Sequence, residues 1–196
     1  MNKLQGFYEL QKLGLLTVPW RKFEDETELD DKVLWTVRTA VYQGKDFDLP
    51  RAVGVTSAAA KQKYREYKRR LAAEDLIIYY PYFAAEKSGV IQIREKEMII
   101  EACKQDLWNL VTYGHKDVTY FFDNGSVTSQ GKSDFLSAAE IEELSGIKSL
   151  IRNRFCSPLS AGMSVMLEWS YAYHSNIHKE PVGERYLVFY ECRVTY

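Results

Sequence analysis

Two runs near the end of the chain constrain the fold most. Met163 to Tyr173 and Arg185 to Thr195 are apolar and β-branched in alternation, and the polar stretch Ser175 to Gly183 separates them, so they read as two long strands joined by a loop. Side chains alternate along a strand, which puts Glu168 on a face with Met166 and Ser170, and puts Glu191 and Arg193 on a face with Phe189 and Leu187. Pairing with those faces on one side brings two carboxylates and a guanidinium together. Such a trio suits a hard cation bridging phosphate oxygens, with the arginine holding a phosphate directly. From spacing alone the commoner reading is a cross-strand ion pair on a solvated face.

The remaining segments fill in an α+β pattern. Leu4, Phe7, Tyr8, Leu10 and Leu13 recur near helical spacing over residues 3 to 13, and Gly14 follows as a stop. An acidic connector from Glu24 to Lys32 leads to a strand from Val33 to Val41, then a loop from Gly44 to Pro50. Ser57 to Asp75 is rich in helix formers, with Thr56 or Ser57 as cap. Leu76 to Ala85 and Gly89 to Ile93 read as a strand pair turning at Glu86-Lys87-Ser88. Strands from Glu97 to Ala102 and from Thr119 to Asp123 follow, with a helical turn or irregular segment at Asp106 to Thr112 and a turn at Asn124-Gly125. Ser137 and Glu140 form a capping box before a helix from Ala138 to Phe155. The expectation is one α+β domain with a largely antiparallel sheet and flanking helices, divided into lobes at residues 1–75 and 76–196.

Composition narrows the function classes. The 196 residues are 46% hydrophobic, and 26 basic against 27 acidic side chains leave a net charge of −1, so the whole molecule has no strong field to attract nucleic acid or an anionic membrane. The longest apolar stretch, Leu76 to Ala85, contains Pro81 and falls short of the roughly 20 residues a bilayer span needs. The first residues lack a signal-peptide core, which points to the cytoplasm. Cys103, Cys156 and Cys192 are widely spaced and form no CxxC pair, so reduced thiols are expected.

Other candidate groups are weaker. Arg38 lies late in an apolar strand, ahead of the loop from Asp48 to Gly54, and can grip a terminal phosphate or pair with a carboxylate at the sheet rim. His174 and His178 have i, i+4 spacing but sit in a loop without an acidic ligand motif. The basic face from Lys61 to Arg70 is interrupted by Glu66 and reads as solvated. Neither a P-loop nor a G-x-G-x-x-G is present.

The order of short motifs resembles the nucleotide-binding domain of phosphoenolpyruvate synthase and pyruvate phosphate dikinase, an ATP-grasp relative. Ile77 to Phe83, Ser88-Gly89-Val90, Ile100-Glu101-Ala102, Val111 to Gly114 and Val118 to Phe122 are similar to its successive strands and glycine-bounded segment. Leu136 to Ile141 resembles its Leu-Thr-Asp-Glu-Glu helix start, Leu167-Glu168-Trp169 its Ile-Glu-Trp, and Tyr190 to Arg193 its closing Leu-Gln-Ala-Arg. Upstream, Lys3, Leu13-Gly14 and Val18-Pro19 look like its opening lysine helix and Val-Pro-Pro, while Val37 to Ala40 and Asp48 to Gly54 resemble its Arg-Ser-Ser-Ala and Asp-Leu-Pro segments.

The resemblance implies an ATP-grasp-like fold binding ATP and magnesium. Lys3 and Arg38 would act on the phosphates, Arg38, Arg193, Tyr80, Asn109 and Val111 would bind nucleotide, and Glu168 and Glu191 would hold the metal. It also implies a separate phosphohistidine-type protein as phosphate acceptor, with self-association left open. Departures from the pattern are several. Glu191 replaces a usual Gln, Asn109 stands near a usual Glu, Gln105-Asp106-Leu107 replaces Gly-Leu-Gly, Leu4 replaces a glycine, and Ala52 replaces a small hydroxyl residue. The connection from Pro19 to Arg38 is short, and the swivelling and barrel domains are absent from this sequence. A non-catalytic interaction or regulatory module on the same fold is therefore the alternative.

Overall fold

A computed structural model describes residues 1–196 except 45, 47, 48, 73, 74 and 124. Two antiparallel sheets make up the α+β architecture. In the first, the strand order is β1-β4-β2-β3, built from β1 (Arg21–Lys22), β2 (Trp35–Ala40), β3 (Arg51–Val55) and β4 (Leu76–Pro81). In the second it is β10-β9-β5-β6-β7-β8, from β5 (Phe83–Ile93), β6 (Glu97–Lys104), β7 (Val118–Asp123), β8 (Ser126–Gly131), β9 (Ser164–Ser175) and β10 (Pro181–Thr195). The helices are α1 (Lys3–Lys12), α2 (Ser57–Lys68), the single turn α3 (Trp108–Val111), and the consecutive α4 (Ala138–Gly146), α5 (Lys148–Arg154) and α6 (Cys156–Ser160).

Strand alternation distributes the apolar side chains among three cores. Trp35, Val37 and Ile77 point from the first sheet onto α2, where Ala60, Tyr64 and Tyr67 meet them. Ile91, Ile93, Leu167 and Trp169 point from the second sheet onto Leu144, Ile147, Ile151 and Leu159 of the α4–α6 run. Between the sheets, Leu4 and Phe7 of α1 pack with Leu76, Ile78 and Tyr80 of the first sheet and Ala172 and Val188 of the second. That middle core joins the two sheets, and a cleft lined by residues of both lies beside it.

Several expectations give way to tertiary context. The turn expected at Glu86-Lys87-Ser88 does not form: β5 runs through it with a register shift between Ala85 and Lys87, bonded to β6 on one side and β9 on the other. Polar residues there mimic a turn signal, but the Lys87 ammonium is satisfied by Glu140 and the Phe135 carbonyl, and Glu86 pairs with Arg185. The chain instead changes sheet at Tyr82, so β4 belongs with β2. Arg51 to Gly54, read as loop, belongs to the edge strand β3, which pairs with β2. Helix α2 ends at Lys68, well short of Asp75, because the chain must reverse to enter β4. Ala73 and Glu74 of that expected helix, Asp48 of the motif before β3, and Asn124 of the expected turn lie outside the described residues. Strand β8 is exposed throughout and lacks apolar alternation, so nothing in its composition announced it.

Candidate functional site

Helix α1 carries Lys3 into the cleft by its N-terminus. Asn2 caps the helix by accepting from the Gln5 N–H, Gln5 reciprocates, and the Asn2 amide also donates to the Val41 carbonyl at 3.0 Å. Gly6 permits the close approach: a Cβ there would overlap the Cys192 carbonyl oxygen of β10. Lys3 Nζ consequently forms an ion pair with Glu191.

A β-bulge sets the far wall. Phe189 is the partner of Trp169, and Glu191 is the partner of Glu168, so Tyr190 is an extra residue in β10. The expectation that Glu191 and Arg193 share a face with Phe189 and Leu187 is corrected by that bulge. Phe189 turns into the helix-side core with Trp169, while Glu191 and Arg193 face the cleft beside Glu168. Gly89 supports the arrangement from below, since a Cβ at that position would collide with the fully buried Trp169 ring.

Arg38 arrives from the opposite sheet. Thr36, Arg38 and Ala40 alternate away from α2, and Arg38 lies between Ile78 of β4 and Arg51 of β3. Arg38, Lys3, Glu168, Glu191 and Arg193 thus line one charged pocket of about 440 Å³, with Arg51 and Asp46 at its edge. Asp46 is the member that sequence reasoning missed. It accepts from Arg193 Nη1 and Nη2 at 2.9 and 3.1 Å and from the Lys3 backbone N–H at 2.6 Å. Asp46 itself belongs to no motif, and only the folded chain brings it to Arg193.

The charges are unevenly matched. Burial and then the neighbouring Glu191 push the Glu168 carboxyl up to about 7, against the pull of Lys3, Arg38 and Arg193. Burial also opposes ionisation of Glu191, but Lys3 and Arg193 outweigh it and hold that carboxyl below its ordinary value. For Lys3, burial and the Arg38 charge prevail over both glutamates and lower the ammonium. Among the described residues Arg38 Nε is buried without a hydrogen-bond partner. The described part of the pocket therefore contains donors and positive charge beyond what its carboxylates satisfy.

Magnesium fits this donor set in a limited form. Among the described residues no group of three or more histidine, cysteine or acidic side chains converges, but magnesium is commonly held by one or two carboxylates together with substrate phosphates. Directly opposed Glu168 and Glu191 supply two, and a dication between them would relieve the repulsion that raises Glu168. Glu191 would have to share its oxygens with Lys3 and Arg193.

The charged pocket opens into a narrow cleft of about 130 Å³ between the sheets. Tyr80 and Val111 line it, as do Tyr82, Phe83 and Trp108. Asn109 does not: its amide donates to the Lys104 carbonyl at 3.0 Å, within its own loop. At the back, hydroxyls run from Ser88 through Ser170 to Tyr190, at 2.7 and 3.1 Å. Burial, and then Glu168, raise the Tyr190 phenol well above its ordinary value. No helix among the described residues is long and apolar enough to cross a membrane. No family model matches the chain, and no curated protein matches it.

Proposed function

We propose that this chain binds MgATP in the cleft between its two sheets, for phosphoryl transfer to an acceptor carried by another protein. One observation carries the reading: Lys3, Arg38, Glu168, Glu191 and Arg193, drawn from α1, β2, β9 and β10, line a single pocket that adjoins a cleft walled by tyrosines. ATP carries about four negative charges, and phosphoryl transfer depends on positioning and neutralising them. Arg38, with an unpartnered buried Nε, would take a phosphate oxygen. Lys3 and Arg193 would follow, exchanging part of their hold on Glu191 for the phosphate chain. Glu168 and Glu191 would share the metal, which supplies charge neutralisation at the phosphates. Tyr80 and Tyr82, on the segment joining the sheets, would flank the base.

A second reading has its own support. Arg193, Asp46, Lys3 and Glu191 already bridge α1, the loop after β2, and β10, so the same cluster can serve as a structural latch in a non-catalytic interaction module. Calorimetric titration separates the two. The nucleotide reading expects binding of ATP that strengthens with magnesium and exceeds that of AMP. Heat-silent titrations with an unchanged melting temperature at millimolar MgATP would favour the module.

A further inference from the structure

The two arginines of the first sheet face each other across neighbouring strands. Arg38 and Arg51 are direct cross-strand partners, so they share a face, and like charges so placed repel. Both line the charged pocket as well as the cleft. Neither has a carboxylate within ion-pair distance among the described residues. The guanidinium of Arg51 stands 4.3 Å from the centroid of the Trp108 ring instead. Trp108 belongs to α3, beyond β6 of the second sheet, and is 43% exposed. The Arg51–Trp108 contact therefore reaches across the cleft mouth from one sheet to the other.

A cation–π contact at an exposed ring is weak, on the order of 0.5–1 kcal/mol, whereas a guanidinium meeting a phosphate gains a charge-assisted and often forked pair of hydrogen bonds. We infer that Arg51 is a second phosphate arm of this pocket: it leaves the Trp108 ring for the terminal phosphate of a nucleoside triphosphate, which then separates it from Arg38. An anion between the two guanidinium groups converts their repulsion into a shared attraction. Release of Arg51 from Trp108 at the same time alters the surroundings of that indole, so the ring reports the movement. The inference rests on the nucleotide reading above and adds to it a residue of the edge strand and a mobile contact at the cleft mouth.

The test compares MgATP, AMP and magnesium tripolyphosphate on the full chain by calorimetry, with tryptophan emission recorded in parallel. Arg51→Gln is expected to weaken MgATP and tripolyphosphate by about tenfold and to leave AMP nearly unchanged. MgATP is expected to change the emission of the wild type. Trp108→Phe is expected to remove most of that change while MgATP still binds. Full-strength MgATP binding by a folded Arg51→Gln, or equal losses for MgATP and AMP, would overturn the phosphate arm and leave the nucleotide reading standing. A wild type that binds none of the three ligands would overturn both. Circular dichroism of each variant separates a lost contact from a lost fold.

Discussion

Two buried charge clusters in this molecule are alike in composition and opposite in state. On the helix side of the second sheet, Glu140 accepts from Lys87 Nζ at 2.9 Å, from the Ser137 N–H at 2.7 Å, and from Arg185. Arg185 also pairs with Glu86 at 2.6 Å and lies over the Tyr171 ring. Burial works against the Glu140 carboxylate, yet Lys87, the Ser137 amide and Arg185 prevail and draw it down to about 2. In the cleft, by contrast, Glu168 is pushed up to about 7, Lys3 is lowered, and Arg38 Nε has no partner among the described residues. The first cluster is closed: each charge has its counterpart, and its consequence is stability. The second is unbalanced, and imbalance of that kind is where a binding or catalytic role is sought.

Breaking the closed cluster should have the larger effect on stability. Glu140→Gln removes the carboxylate that Lys87 and Arg185 share and leaves them the Phe135 carbonyl and Glu86, so denaturant unfolding at pH 7 is expected to show a loss of about 1–3 kcal/mol. The folded pKa of Glu140 lies below its ordinary 4.5, so its contribution is present above that value and fades as pH falls toward about 2. The gap between wild type and variant should narrow over that window. An equal gap at pH 3 and pH 7 would assign the effect to packing and dissolve the contrast with the cleft.

The unbalanced cluster should respond in binding more than in stability. Arg38→Ala is expected to weaken MgATP by roughly 10- to 100-fold, the equivalent of a charge-assisted contact of about 1.5–3 kcal/mol. Its melting temperature should move little. AMP, which lacks the terminal phosphates, should bind the variant almost as well as the wild type. Arg38→Lys should recover part of the loss, since lysine keeps the charge without the fork. If calorimetry finds equal losses for ATP and AMP, Arg38 belongs with Glu140 as a structural charge.

The smallest effect sharpens the boundary between the two behaviours. Tyr190 lies in the cleft, but its hydroxyl already serves Ser170 and the Trp169 carbonyl. Tyr190→Phe should therefore cost about 0.5–1.5 kcal/mol in unfolding free energy, the usual net worth of a neutral hydrogen bond. A loss of MgATP affinity without that loss of stability would move the hydroxyl chain from wall to ligand contact.

Patterns that depend on near neighbours were legible in the chain itself. The α+β class, the antiparallel pairing of the last two strands, helix α1 with its stop at Gly14, and the Ser137–Glu140 capping box all follow from periodicity and short-range side-chain chemistry. So did the convergence of Glu168, Glu191 and Arg193, because adjacent strands can meet with few alternatives. The route was partly mistaken, however, since alternation alone could not reveal the bulge at Tyr190 that turns Phe189 away from Glu191.

What the tertiary structure alone decided were the meetings of distant segments. Glu86-Lys87-Ser88 is a turn by composition and a strand in the fold, because β6, β9 and Glu140 offer its polar groups better partners than water and a hairpin would. Asp46 joins Arg193 across 147 positions, and Arg51 meets Trp108 across the cleft mouth. The Glu168 carboxyl departs from its ordinary value only because burial and a facing Glu191 surround it. Local pattern determines which way a side chain points along its own element. Which charge it finally faces depends on how whole sheets pack, and that is set by the sum of many weak apolar contacts spread along the chain.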